Sequence, residues 1–333
     1  MKGNRKMKFC IYEVREDERQ MLETLRQKYD LELILTSQPL NLETASLAAG
    51  CDGVSTLGHS QLNRDVLNKL AEMGIHACSS RCIGINHIDM DAARELKIRI
   101  SNACYSPYGV ADYTVMLMLM LIRRYKPALW RQQVNDYSLG GLMGRELRGM
   151  TVGIIGTGRI GCAVMQNLSG FGCKLLCSDV RENPEAARLG EYVTVDEIFS
   201  RCDMISLHTP LLDSTRYLVN ERTLSLMKPD GMLVNCARGE LMDIQAVTRA
   251  IENQKIGGVA MDVFEKEDGI YHHDCRTDIL KNRDMAYLRQ FPNVIMTQHM
   301  AFYTMEAVDS MVTCGIESLV AFIQGKEYFC EIA

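Results

Sequence analysis

Along the chain, short apolar runs rich in β-branched residues alternate with longer stretches whose apolar positions recur at helical spacing. Runs of that kind, without strict in-and-out alternation, mark strands buried on both faces, and the helices between them supply the cover. The pattern therefore predicts an α/β chain built on parallel sheets. A first series places strands at residues 9–14, 31–36, 53–57, 75–79 and 98–101, with helices such as 17–29 and 63–73 between them. A second series places strands at 151–155, 174–178, 204–207, 231–235, 257–262 and 293–297.

Two series imply two open, doubly wound parallel-sheet domains with a cleft between them. The helical stretch 110–125, opened by Ser106-Pro107, reads as the crossing from one to the other, because proline fits the first turn of a helix. The last helical stretch, 304–323, follows the second series and is expected to return to the first domain. The expected division is 1–103 plus 301–333 against 104–300. The chain shows no short repeat and no low-complexity segment.

Composition narrows the classes of function. At 333 residues and 47% hydrophobic, the chain can bury large cores and is neither disordered nor fibrous. With 37 basic and 42 acidic residues the net charge is −5, so nothing favours nucleic acid or an anionic membrane, and a small molecule is the expected partner. The longest apolar run, 115–122, has eight residues against the roughly 20 that cross a bilayer. The basic start is followed by an apolar stretch cut by Glu13, Arg15, Glu16 and Asp17, which gives no signal-peptide core, so a cytoplasmic location is expected. The 13 cysteines contain no Cys-x-x-Cys pair and read as reduced thiols. His272-His273-Asp274-Cys275 is the one ligand-like cluster, but neighbours in a loop rarely converge on a metal, and a polar surface loop is the favoured reading.

The sharpest motif is Gly156-Thr157-Gly158-Arg159-Ile160-Gly161, which directly follows an apolar strand and opens a helix. That context suits a Rossmann-like dinucleotide site: Gly156 for the tight turn, Gly158 for approach of the pyrophosphate to the backbone, Gly161 for helix–strand packing. Asp179 ends the next strand, 18 residues after Gly161, near the spacing of the carboxylate that takes ribose hydroxyls. A carboxylate there repels a 2′-phosphate and favours NAD over NADP, while Arg181 two residues on keeps the second option open. Taken singly, the glycines also suit an ordinary strand-to-helix turn and Asp179 a helix cap.

Three later strand ends carry Arg238, Glu267 and His299. Ligands of open α/β sheets lie beyond the carboxyl ends of strands, so these residues are expected over one crevice beside the nucleotide. Arginine offers a planar fork for a carboxylate or polarised carbonyl, histidine exchanges a proton near neutral pH, and glutamate fixes its tautomer and favours its cation. The set suits reduction of a 2-oxo acid. Each member also has a plainer reading: a surface turn, a charged run and a buried imidazole.

The motifs Asn235-Cys236-Ala237-Arg238-Gly239-Glu240-Leu241, Ala260-Met261-Asp262-Val263-Phe264-Glu265 and Gln298-His299-Met300-Ala301-Phe302-Tyr303 resemble the D-specific 2-hydroxyacid dehydrogenases, over nearly the whole chain. Residues 80–89 and Tyr105-Ser106-Pro107 are similar to the D-lactate dehydrogenase branch, including the vancomycin-resistance enzymes. The resemblance implies that residues 104–300 bind NAD and the rest binds substrate. It implies that the Ile83 and Gly84 amides and Arg238 hold the substrate carboxylate, and that Tyr105 borders the site. His299 is then the acid/base, Glu267 its partner, and Asp262 either sits near the nicotinamide or supports the histidine pair. Nucleotide contacts follow from Arg159, Ile160, His208, Thr209, Pro210, Cys236 and Ala237. Substrate size is set around Leu57, which stands where D-lactate dehydrogenases often carry an aromatic, and Phe302; Gln298 replaces a common proline.

The implied activity is NAD-dependent reduction of pyruvate or a related 2-oxo acid to the (R)-2-hydroxy acid. Larger branched or aromatic 2-oxo acids, or a non-catalytic NAD-sensing corepressor-like role, are the alternatives. A phosphoglycerate or glyoxylate enzyme is disfavoured because residues 57–62 lack a basic residue, and a formate dehydrogenase because Glu267 stands where that branch has an amide. The apolar helix with Trp130 suits either a homodimer contact or a core, and the family habit favours the homodimer.

Overall fold

The computed structural model describes residues 5–333. The chain divides into two compact units, one running to Ser106 and resuming at Tyr303–Ala333, the other Pro107–Phe302. These borders fall a few residues beyond the expected 103/104 and 300/301.

The first unit holds β1 (Lys8–Ile11), β2 (Glu32–Leu35), β3 (Gly53–Thr56), β4 (Ala77–Ser80) and β5 (Arg99–Ser101), all parallel in the order β2-β1-β3-β4-β5. The expected strand over 9–14 ends at Ile11, because Glu13 takes a left-handed conformation at φ +54° that no strand accommodates. The helix Met305–Ile323 packs back on this sheet, burying Val312, Ile316 and Leu319 against Phe9 and Ile11. Thr304 caps it by accepting the Ala307 amide.

The second unit holds β6 (Thr151–Ile155), β7 (Lys174–Ser178), β8 (Glu191–Tyr192), β9 (Met204–Leu207), β10 (Met232–Asn235), β11 (Gly258–Met261) and β12 (Val294–Met296). Its parallel sheet runs β12-β11-β10-β9-β6-β7-β8, so the order reverses between β6 and β9. That reversal opens the crevice in which doubly wound sheets hold their ligands. β8 was not expected; it spans two residues, too short to leave a pattern.

The expected helix 110–125 is two helices, Tyr108–Ile122 and Tyr125–Gln133, divided where Arg124 turns left-handed at φ +48°. Pro107 stands at the N-cap of the first rather than inside its opening turn. Lys126 ties the second helix to the sheet, its Nζ donating to the carbonyls of Arg289, Phe291 and Val294 at 2.6–2.8 Å. All 13 cysteines are free thiols, in keeping with the reduced reading.

Candidate active site

In the second unit, the chain leaves β6 through Gly156 at φ +96° and enters the helix Arg159–Ser169 with Gly158 at its N-cap. A Cβ on Gly156 would lie 2.6 Å from the His208 carbonyl carbon, and one on Gly161 would lie 1.9 Å from the Gly156 oxygen. Only glycine fits either place. A Cβ on Gly158 would meet nothing within 4 Å, so that glycine faces open space beside a helix end whose first amides have no intrahelical acceptor. Asp179 accepts the Thr157 amide at 2.6 Å and the Thr157 hydroxyl at 3.2 Å, joining the end of β7 to the glycine turn. Burial alone would raise its pKa, but the amides of Thr157 and Arg181 stabilise the carboxylate and hold it below the usual range. Tyr192 and Asn183, which no motif announced, brace the same turn through the Thr157 hydroxyl and carbonyl.

His208, Thr209 and Pro210 follow β9 against this turn. Burial pushes the His208 pKa down to about 4, so the ring is neutral at physiological pH, bonded through Nε2 to the Ser206 hydroxyl at 2.9 Å. The Thr209 Oγ1 is buried without a hydrogen-bond partner, an atom awaiting one. An open glycine, a helix end and this orphaned hydroxyl fit the phosphate and sugar of a dinucleotide.

On the other side of the strand-order reversal, the ends of β10, β11 and β12 carry the residues expected to serve as acid/base and carboxylate binder. His299 Nδ1 and Glu267 Oε1 lie 2.5 Å apart, and the second Glu267 oxygen accepts the Phe264 amide at 2.7 Å. The carboxylate thus orients the ring and leaves Nε2 as its working end. Of the two roles open to Asp262, the hydrogen bonds show support of the histidine segment. Fully buried, its carboxylate accepts the Thr297 hydroxyl at 2.6 Å and the Met300 and Ala301 amides at 3.0 and 2.7 Å, while its carbonyl accepts the His299 amide at 2.7 Å.

Arg238 follows β10 at a turn clamped by buried Asn235, which donates to the Arg238 carbonyl at 2.8 Å and accepts the Ala237 amide at 3.0 Å. The next residue, Gly239, is pressed on the loop after β11: a Cβ there would lie 2.2 Å from the Phe264 carbonyl carbon. The turn that bears the guanidinium is therefore packed on the segment that bears Glu267. Cys236 is largely buried, and burial raises its thiol to about 12, which leaves it a protonated wall. Phe302 stands edge-on to His299, ring centroids 6.3 Å apart.

Leu57, Ile83, Gly84 and Tyr105 lie in the first unit. The loop after β4 turns its carbonyls inward, that of Ile83 to Asn102 Nδ2 at 3.0 Å and that of Gly84 to the Cys82 thiol at 3.3 Å. Among the described residues the amides of Ile83 and Gly84 donate to nothing in the chain. Arg81, wholly buried, anchors the loop through Glu18 at 2.9 Å. Buried Glu13, not anticipated from sequence, accepts the amides of Leu57, His59 and Ser60 at 2.9–3.1 Å and the Ser60 hydroxyl, shaping the loop that bears Leu57. Among the described residues no cluster of three or more histidine, cysteine or acidic side chains could hold a metal.

Residues 115–301 match the family described as "D-isomer specific 2-hydroxyacid dehydrogenase, NAD binding domain". The chain belongs to that family. It is 40% identical over 318 residues to the aromatic 2-oxoacid reductase of Clostridium sporogenes, covering 95% of this chain and 96% of that one. The structure of a D-2-hydroxyisocaproate dehydrogenase superposes with a TM-score of 0.90 at 31% identity, over 98% of this chain and 99% of that one. D-lactate dehydrogenase with NAD+ from Lactobacillus jensenii gives 0.86 at 31%, over 98% and 100%. The protein is thus an NAD-dependent enzyme of the D-2-hydroxyacid dehydrogenases, and the expected fold, family, enzyme class and cofactor are borne out.

Proposed function

We propose that this dehydrogenase reduces pyruvate or a related 2-oxo acid to the (R)-2-hydroxy acid, with His299, Glu267 and Arg238 as its catalytic residues. The observation that carries this reading is the His299–Glu267 pair at 2.5 Å, set at the strand ends of the sheet that bears the glycine turn. The nicotinamide, when bound, supplies the hydride taken up at the carbonyl carbon. His299 gives the proton at Nε2 to the carbonyl oxygen, and the Glu267 carboxylate, bonded at Nδ1, holds the ring in the orientation that the transfer needs. Arg238 stabilises the charge that develops on the oxygen and grips the carboxylate by its fork. In the first unit, the amides of Ile83 and Gly84, which donate to no backbone carbonyl among the described residues, suit a carboxylate, and Tyr105 belongs to the same substrate-binding set. Gly156, Gly158, Arg159, Ile160, Gly161, Asp179, His208, Thr209, Pro210, Cys236 and Ala237 would hold the nucleotide.

An aromatic 2-oxo acid is a second reading, favoured by the name of the 40%-identical Clostridium sporogenes relative and by Leu57 standing where related lactate enzymes often carry a ring. Steady-state rates on pyruvate, 2-oxoisocaproate and phenylpyruvate at fixed NADH separate the readings. The highest kcat/KM on pyruvate supports the first and on phenylpyruvate the second, and turnover of none refutes both. Non-catalytic NAD sensing would fall with any of these rates.

We further propose a homodimer joined through the helices Tyr108–Ile122 and Tyr125–Gln133, where Met116, Tyr125, Leu129 and Trp130 are 39–49% exposed. Light scattering behind size exclusion tests it, with twice the chain's 37.6 kDa expected. A cytoplasmic location is part of the same reading; none of the described helices is long and apolar enough to cross a membrane.

A further inference from the structure

The chemistry above gives no part to His272, an imidazole of the second unit. His272 Nε2 donates to the main-chain carbonyl of His299 at 3.1 Å, and the two rings have centroids 6.1 Å apart. Phe302 completes a triangle, 6.3 Å from each. Two corners of that triangle are left-handed, φ +64° at His272 and φ +51° at His299, a conformation that a non-glycine residue keeps only where its surroundings hold it.

The holding forces can be traced. The peptide joining His299 to Met300 is gripped at both edges, its N–H by Asp262 Oδ1 at 3.0 Å and its carbonyl by His272. The preceding amide goes to the Asp262 carbonyl at 2.7 Å, and the ring goes to Glu267. Without His272, one edge of that peptide is released, and rotation about its bonds swings the imidazole. Proton transfer is sensitive to such displacement, because donor and acceptor must meet within hydrogen-bond reach.

We propose that His272 is a positioning residue for the acid/base histidine, acting through the His299 carbonyl rather than on the substrate. The proposal deepens the assignment of His299 above and rests on it. Three proteins test it: wild type, His272→Leu, which removes the donor, and His272→Gln, whose amide nitrogen reaches to the same distance along the side chain.

The expected result for His272→Leu is a fall in kcat of about tenfold, the scale of one lost hydrogen bond, with the NADH Kd unchanged. His272→Gln is expected to recover most of that loss. The low-field proton resonance of the His299–Glu267 hydrogen bond should broaden or move in His272→Leu and return in His272→Gln. This signal needs no substrate, so it decides the proposal independently of which 2-oxo acid is turned over. Wild-type resonance and kcat in His272→Leu, or a glutamine variant as impaired as the leucine one, would overturn it.

Discussion

At the residue scale, the proposed chemistry turns on a single ring. Replacing His299 with glutamine keeps a polar side chain on the segment but removes the exchangeable proton. Turnover of 2-oxo acid should then fall by about 10²- to 10⁴-fold, the usual worth of a general acid, while NADH titrated by fluorescence binds as before. A parallel loss of NADH affinity would show that His299 acts on the fold instead. His299, Glu267 and Arg238 could be nominated from the sequence because their residue types are chemically distinctive and stand just after strand ends. Asp262, Asn235 and Glu13 were less open to this: their task is to accept and donate backbone hydrogen bonds, and which amide turns toward which carboxylate is settled by tertiary packing. Glu13→Gln tests the clearest case. The amide would set donor against donor around residues 57–60, leaving buried groups unsatisfied at a cost of about 1–3 kcal/mol. The expected outcome is a lower Tm and a several-fold higher KM for the 2-oxo acid, with NADH affinity unchanged.

At the scale of elements, strands buried on both faces announce themselves as apolar runs, and their approximate places could be read. Their ends could not, because they depend on single backbone conformations such as φ +54° at Glu13 and φ +48° at Arg124, and neither residue type signals a left-handed turn. Glycines are different, since a close approach leaves a position that no other residue fills. Gly239 packs the end of β10 on the loop after β11 so closely that a Cβ there would lie 2.2 Å from the Phe264 carbonyl carbon, against backbone that cannot turn aside. Gly239→Ala should therefore push the arginine turn away from the glutamate loop and destabilise by about 1–3 kcal/mol, as overpacking does. The thermal midpoint should drop, and kcat on the 2-oxo acid should fall further than the NADH affinity. An unchanged midpoint would mean that the two strand ends are not in register as described.

At the scale of the whole molecule, the stability of the fold is linked to pH through a residue of the proposed nucleotide site. His208 has a folded pKa of about 4 against 6.5 for a solvated imidazole, because burial disfavours its cation. Above pH 6.5 the ring is neutral in both folded and unfolded chains and contributes no pH dependence. Between 6.5 and 4 the unfolded chain takes up a proton that the folded one refuses, so stability falls as pH falls. The loss amounts to about 3 kcal/mol once pH reaches the folded pKa and levels off about one pH unit below it. Other groups titrate in the same window, so the informative quantity is the difference between wild type and His208→Gln, which keeps a polar group for Ser206 but cannot be protonated. Denaturant unfolding from pH 7 to pH 4 should show the two curves of stability against pH separating, with the glutamine variant the flatter. Saturating NADH should raise the stability of both proteins, since a ligand that binds only the folded chain stabilises it by mass action. Parallel curves with and without the histidine would mean that the ring is hydrated in the folded enzyme and that the segment after β9 is not packed on the glycine turn.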